Sequence, residues 1–338
     1  MANRRRRIVS GTRPTGRLHL GHLHGALTNW IRLQDDAECF FFVADWHALT
    51  TGWQDTSGVR ASIHEMVLDW LAVGLDPERV VLFVQSAVKE HAELHLLLSM
   101  IVPTPWLLRN PTIKEQAREL GLLGGGDDDA AMSQLNYGML GYPVLQSADI
   151  LIYRASGVPV GIDQVPHLEM TREVARRFNH TYGKVLVEPE ALLTESPRIP
   201  GTDGRKMSKS YNNAVFLSEP PADIARKLER MATDPRRVRR TDPGDPEACP
   251  AFNLHRIYCT PDEIATVTEG CRSAGIGCLD CKRIMVKHVV AAIEPIQARR
   301  AELERRPGTV DEVLAAGNAR ARTAAAETMT VVREAMKI

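Results

Sequence analysis

The chain has 338 residues, 44% hydrophobic and 25% charged, with 42 Lys and Arg against 42 Asp and Glu. This is globular composition with material for two domains, and a net charge of +0 excludes a global basic field, so nucleic acid would be met by local patches. No apolar run approaches the ~20 residues of a membrane span, and the N-terminal arginines lack the apolar core of a signal peptide, so a cytoplasmic location is expected.

Two basic runs, Arg4 to Arg7 and Arg236 to Arg240, are candidate RNA contacts or solvated charge. Between them, Ile8-Val-Ser-Gly-Thr-Arg-Pro-Thr-Gly-Arg-Leu-His-Leu-Gly-His22 reads as a short apolar strand, a Gly/Pro loop and the first turn of a helix running to about Gln34. Gly11 and Gly16 permit tight turns, Pro14 stiffens the loop, and His19 and His22 share one helical face. A helix N-terminus offers unpaired N–H groups and partial positive charge, and two imidazoles add donors. Gly21 omits the side chain that would keep a nucleotide away, so the stretch suits phosphate.

Cys39-Phe-Phe-Phe-Val-Ala44 is a strand buried on both faces, with Cys39 in the core. His47 follows its C-terminal end, where open α/β sheets bind ligands; it either faces substrate or is hydrogen-bonded within the fold. Ile63, Met66, Val67, Trp70 and Leu71 repeat with helical period up to Gly74, and Val80 to Gln85 is the next strand, so the sheet is parallel. From about 88 to 140 the pattern breaks into helices at His91 to Ile101 and Thr112 to Leu120 and a Gly124-Gly-Gly-Asp-Asp-Asp129 loop, an insertion that serves as an interface or a lid. Tyr142 to Tyr153 sets Asp149 among apolar residues, and a buried carboxylate needs a partner, structural donor or ligand.

Val158-Pro-Val-Gly-Ile-Asp-Gln164 is a strand running into a helix, with Asp163 as N-cap or ribose-binding carboxylate. Beyond Lys206-Met-Ser-Lys-Ser210, on a polar Gly-flanked loop, strand signals fade. Helices are expected over Ala222 to Met231, Pro261 to Arg272, Cys278 to about Arg305 and Asp311 to Met336.

His19-Leu-Gly-His22 and Lys206-Met-Ser-Lys-Ser210 resemble the two signatures of class I aminoacyl-tRNA synthetases. Joined to Tyr142-Pro-Val-Leu-Gln-Ser-Ala-Asp-Ile150 and Val158-Pro-Val-Gly-Ile-Asp-Gln-Val-Pro-His167, they resemble the bacterial tryptophanyl-tRNA synthetase family over nearly the whole chain. The resemblance implies an α/β fold: a Rossmann-like parallel-sheet catalytic domain over 1–215, with the insertion at about 88–140 and the lysine loop at 201–212. A mostly helical anticodon-binding domain is implied over 216–338, and the insertion helps to form a homodimer. The reaction implied is activation of L-tryptophan by ATP with Mg2+, then transfer to the terminal ribose of tRNA(Trp).

Within that resemblance, His19, His22, Lys206 and Lys209 stabilise the departing pyrophosphate, with Ser208 and Ser210 as donors. Thr12, Arg13, Pro14, Thr15, Gly21, Gly161, Ile162, Asp163, Ile199 and Met207 surround ATP. Asp149 accepts the indole N–H, Tyr142 and Gln164 hold the amino group, and His47 and Val9 line the amino-acid pocket. Indole has one donor and no acceptor, so a buried carboxylate recognises it and is stranded by phenylalanine; tyrosine, which also donates, must be excluded by shape. The chain departs from some members, which carry Thr and Asn at His19 and His22, Gln at Arg13 and an aromatic residue at Val9.

Of six cysteines, five fall between 249 and 281. Cys249, Cys271, Cys278 and Cys281 would suit a tetrahedral zinc or a [4Fe-4S] cluster, or remain unligated, although zinc sites more often pair two short knuckles and only one exists here. A subset of the resembled family carries a [4Fe-4S] cluster on a long first spacing followed by x6 and x2, and Cys249-x21-Cys271-x6-Cys278-x2-Cys281 comes within one residue of it. Iron–sulfur is therefore what the resemblance implies, with Cys259 the spare thiol.

Overall fold

The structure is a computed structural model and describes residues 5–119, 135–161, 164–193 and 199–338. Its frame is a parallel sheet of β1 (Arg7–Thr12), β2 (Glu38–Val43), β3 (Val81–Val84), β4 (Gly157–Val160) and β5 (Glu190–Leu193), in the order β3-β2-β1-β4-β5. Strand β2 lies between β1 and β3, with Ile8 opposite Cys39 and Phe42 opposite Phe83. Alternation sends Cys39, Phe41 and Val43 into one core and Phe40 and Phe42 into the other, which is why the run is apolar without a break. Trp30 stacks on Phe41 at 4.3 Å in the first core, and Phe40 on Tyr153 at 4.7 Å in the second.

After β1, α1 (Leu20–His22) passes through a π turn (Leu23–Leu27) into α2 (Thr28–Asp36). The opening helix thus runs as expected, with a bulge directly behind the histidine pair, a placement common at functional sites. α3 (Asp45–Gly52) follows β2, and α4 (Val59–Val73) ends at Gly74, whose φ of 108° serves the left-handed cap. In the insertion stand α5 (Glu90–Ser99), α6 (Thr104–Leu108) and α7 (Pro111–Glu119); the loop expected at 124–129 lies outside the described residues. α8 (Tyr137–Leu151) carries Asp149, and α9 (Val165–Tyr182) follows β4. The position before its first residue is Gln164, and Asp163, the expected cap, lies outside the described residues.

The remaining helices are α10 (Pro221–Glu229), α11 (Pro250–Tyr258), α12 (Pro261–Arg272), α13 (Cys278–Glu304) and α14 (Thr309–Met336). Only α11 was unforeseen among them; Pro250 at its first position, fixed in φ and without an N–H to leave unpaired, is the signal that was passed over. α14 runs along the exposed edge of β3. A Cβ at Gly317 would sit 1.7 Å from the Leu82 carbonyl oxygen, the Asn318 side chain accepts from Val84 N–H at 3.0 Å, and Arg320 donates to the Pro77 and Val80 carbonyls. An edge strand with open backbone groups is thereby covered. The helices beyond residue 215 share both cores with the sheet: Met285, Val289 and Ile293 in one, Ala321, Ala325 and Met329 in the other. No described helix is long and apolar enough to cross a membrane.

Candidate functional site

β1 has β2 on one side and β4 on the other, so the chain reverses its direction of travel across the sheet between them, and a crevice opens at their C-terminal ends. A cavity of about 320 Å³ occupies that crevice. Val9, Thr12, Arg13, His47, Tyr142, Asp149, Gly161 and Gln164 line it, so these expected site residues converge from four separate parts of the chain. Ile162 and Asp163 lie outside the described residues. Gly11 lies within β1 rather than in a turn; a Cβ there would meet the Phe42 ring at 2.4 Å, so its role is close packing beneath the crevice. Gly16, at φ 74°, is the turn residue.

Asp149, 1% exposed, is held by three side chains. His91 Nδ1 lies 2.6 Å from Oδ1, His47 Nε2 lies 2.8 Å from Oδ2, and the Gln85 amide donates to both oxygens at 2.8 and 2.9 Å. Burial alone would raise this carboxyl's pKa; the hydrogen bonds from His47 and His91 outweigh it and hold the group ionised, well below the ordinary carboxylate range. His91 is fixed in turn by the Tyr153 hydroxyl, 2.7 Å from Nε2. His47 and Asp149 each line the crevice and each have an internal partner. Gln85 and His91 were missed. Gln85 ends the third apolar strand run, a position that strand-end reasoning reaches, whereas nothing in the sequence marks His91.

At the turn after β1, His19 caps α1: its Nδ1 accepts from Gly21 N–H at 3.1 Å, and His22 Nδ1 accepts from His19 N–H at 3.2 Å. A ring nitrogen that accepts carries no proton, so both imidazoles are neutral and keep Nε2–H as the outward donor. Burial, then the charge of Lys209, pushes His19 down to about 4; burial, then His19 and Lys209, pushes His22 down to about 3. Gly21 is needed for a second reason beyond ligand access, since a Cβ would lie 2.9 Å from the folded-back His19 ring.

The lysine loop reaches this turn directly. Leu20 N–H donates to the Val215 carbonyl at 3.1 Å and Leu217 N–H to that of Leu18 at 2.9 Å, while Lys209 Nζ bonds the Thr15 carbonyl. Burial lowers Lys209 to about 8. Met207 is buried near Gly21, Ile199 is buried and accepts from Met207 N–H at 3.2 Å, and Lys206 and Ser210 are exposed. The loop is organised by Asn213, which the sequence did not single out. Its Oδ1 accepts from Ser208 N–H at 2.8 Å, and its amide donates to Asp203 at 2.7 Å and to the Lys206 carbonyl at 3.1 Å.

Cys249, Cys271, Cys278 and Cys281 converge on a second, small cavity of about 30 Å³ with Arg237, His255 and Lys282. Cys249 precedes α11, Cys271 sits in α12, and Cys278 and Cys281 lie in the first turn of α13, so three helix ends meet at the thiols. Burial, then the neighbouring thiols, pushes Cys281 up to about 12. A Cβ at Gly244 would lie 2.7 Å from Cys271 Sγ, so the loop closes tightly over the sulfur. His255 Nε2 is 3.3 Å from Cys281 Sγ, and its Nδ1 3.3 Å from Cys259 Sγ. Four thiols on one cavity, with cationic groups around them, fit a metal or iron–sulfur centre.

The basic runs are largely consumed by the fold. Arg6 and Arg7 pair with Glu190 and Glu38, and Arg236 with Asp234 and Asp245. Arg237 is buried and donates to the Ile276 carbonyl at 2.7 Å, and Arg240 to that of Ala274 at 2.5 Å. The second run therefore braces the thiol loop through Arg237 and Arg240, while Arg236, Arg239 and Arg240 remain exposed.

Residues 1–293 match the family of class I tRNA synthetases for W and Y. The chain is 50% identical to the tryptophan–tRNA ligase of Thermotoga maritima, over 98% of this chain and 99% of that protein. It is 46% identical to the enzyme of the same name from Aquifex aeolicus, over 98% and 100%. A solved tryptophanyl-tRNA synthetase from Campylobacter jejuni, complexed with ADP and tryptophan, superposes with a TM-score of 0.83 at 29% identity, covering 98% of this chain and 100% of that one. Sheet order, the turn after β1, the lysine loop and full-length similarity agree, and the chain belongs to the class I tRNA synthetase family of the tryptophan and tyrosine enzymes.

Proposed function

We propose that the protein is a tryptophan–tRNA ligase: it activates L-tryptophan with ATP to tryptophanyl-adenylate and pyrophosphate, then transfers the amino acid to the 3′-terminal ribose of tRNA(Trp). The observation that carries the reading is Asp149, an ionised carboxylate at the switch-point crevice, buried among apolar walls. A carboxylate accepts about four hydrogen bonds, and three side chains make four to Asp149, since the Gln85 amide bonds both oxygens; the indole N–H takes the place of one of the two Gln85 bonds. Tyr142 and Gln164 line the same crevice and take the amino group.

In the first step a tryptophan carboxylate oxygen attacks the α-phosphorus, forming the mixed anhydride as the bond to the pyrophosphate oxygen breaks. Mg2+ accompanies ATP on its phosphate oxygens. Thr12, Arg13, Thr15, Gly161 and Asp163 surround the nucleotide. Negative charge gathers on pyrophosphate, where Nε2–H of His19 and His22 donate as neutral groups and Lys206 and Lys209 supply the positive charge. Residues 1–215 are the catalytic part and 216–338 the anticodon-binding part.

The four thiols hold a [4Fe-4S] cluster in this reading. The single short knuckle in Cys249-x21-Cys271-x6-Cys278-x2-Cys281 favours the cluster over zinc, whose sites more often pair two. Bound there, it would tie together the ends of α11, α12 and α13, a structural service to the anticodon-binding part. The molecule works in the cytoplasm as a homodimer, in which Trp53, Leu96, Met100 and Tyr137, all more than half exposed, are covered by the second copy. ATP–pyrophosphate exchange driven by tryptophan but not tyrosine tests the function; absence of tryptophan-dependent exchange overturns it.

A further inference from the structure

α4 and α13 meet behind the phosphate-binding turn around one buried ion pair. Asp69, on α4, is fully buried, and Arg300, on α13, is 5% exposed. Asp69 Oδ1 accepts from Arg300 Nη1, and Asp69 Oδ2 accepts the backbone N–H of Leu18 at 2.6 Å. Arg300 also reaches Glu65 at 2.7 Å and Glu304 at 3.1 Å, and Glu65 takes Arg17 at 3.0 Å. The two residues before His19 are therefore held by two carboxylates of one helix, and those carboxylates by one arginine of another. The opposite side of this segment is pinned by backbone bonds to residues 215 and 217 behind the lysine loop.

Burying an ion pair is costly unless its remaining donors and acceptors are used. Here they are used on the backbone that sets the cap geometry of His19. We propose that Asp69 and Arg300 are positioning residues for pyrophosphate departure: Asp69 fixes Leu18 ahead of His19 and sets a negative charge near Lys209, and Arg300 locks that carboxylate in place. The charged and titratable groups facing this point are Glu65 and Asp69 from α4, Arg300 and Glu304 from α13, Arg17 and His19 from the turn, and Lys209 from the loop. Burial depresses the Lys209 ammonium, and the Asp69 charge works against that depression. Burial, with the nearby Glu65 charge, pushes the Asp69 carboxyl up, against the pull of Leu18 N–H and Arg300.

The inference rests on the assignment of His19, His22 and Lys209 to the phosphates, which loss of exchange in His19→Ala tests separately. Asp69→Asn keeps an acceptor for Leu18 N–H and removes the charge. In ATP–pyrophosphate exchange it should lower kcat about 10- to 100-fold, the scale of a small misplacement of reacting groups. It should also move the alkaline limb of the kcat profile down by about one pH unit, with tryptophan affinity by fluorescence titration unchanged. Arg300→Lys keeps charge but loses the fork, and should lower kcat with the limb left in place. It serves as the readout if Asp69→Asn does not fold. Unchanged kcat in a folded Arg300→Lys overturns the proposal. So does a loss in Asp69→Asn that is equal at every pH and accompanied by weaker tryptophan binding, since that marks a merely structural pair.

Discussion

Replacing Asp149 by asparagine separates charge from shape in the amino-acid pocket. Alanine is the cruder choice: it would strand the donors of His47, His91 and Gln85, three buried groups at about 1–3 kcal/mol each before any relaxation. That sum is comparable with the whole stability of a domain, about 5–15 kcal/mol, so lost activity would report unfolding. Asparagine keeps one oxygen to accept from His91 or His47, and the other imidazole can shift its tautomer to accept from the new amide. What disappears is the charge-assisted bond to the indole, worth about 1.5–3 kcal/mol, or about 10- to 150-fold in kcat/KM for tryptophan. The assay is ATP–pyrophosphate exchange at varied tryptophan and at varied ATP, with thermal melting to confirm folding. KM for ATP should stay within about twofold, since none of the groups bonded to Asp149 belongs to the capped turn. Unchanged tryptophan kinetics in a folded variant would remove Asp149 from recognition and leave it a structural anchor for His91 and Tyr153.

Because His19 and His22 sit near 4 and 3 when folded, against about 6.5 unfolded, the unfolded chain binds more protons between those values. Stability should therefore be full above about pH 6.5 and fall as the pH drops toward 4, as read by urea unfolding at several pH values; a flat profile contradicts neutral histidines. Exchange activity should decline as the pH rises through about 8, where Lys209 loses its proton, and Lys209→Arg should shift that decline upward; an unmoved limb assigns it elsewhere. Asn213→Ala should lower kcat about tenfold or more, given three bonds lost from the lysine loop, with tryptophan affinity intact by fluorescence titration.

The sheet was legible because buried parallel strands are unbroken apolar runs, and the Cys39 to Ala44 run allows no other reading at that length. The turn after β1 stood out only through its pairing with the Lys206 to Ser210 loop, since two histidines on a helix are by themselves more often structural. What sequence could not supply were partners brought from a distance. Asp149 demanded a donor on energetic grounds, but its three donors come from residues 47, 85 and 91, and only the first of these was singled out beforehand. The Arg236 to Arg240 run shows the converse limit. Five residues with four arginines look like a surface stripe until the fold turns one of them inward beside Cys271. Local composition sets what a segment prefers; the cost of burying each charge is decided by segments it cannot see.

α13 joins the two functional regions on one rod. Its 27 residues span about 40 Å, with Cys278 and Cys281 in the first turn and Arg300 near the last, beside the phosphate-binding turn. Loss of the cluster would free the N-terminal end of this helix, where burial favours the protonated form of Cys281. Between the two ends, however, Met285, Val289, Ile293 and Ile296 are buried in the core shared with the sheet, so fraying should stop within the first two turns. Arg300 should keep its hold on Asp69. The expected result for Cys278→Ser, or for protein stripped of iron by anaerobic chelation, is nearly normal tryptophan-dependent exchange together with a large fall in charging of tRNA(Trp). Anaerobically purified wild type should be brown with roughly four irons per chain, and Cys259→Ser should retain them. Stoichiometric zinc in a colourless protein would overturn the cluster, and an exchange rate that falls in step with iron content would show that the rod transmits after all.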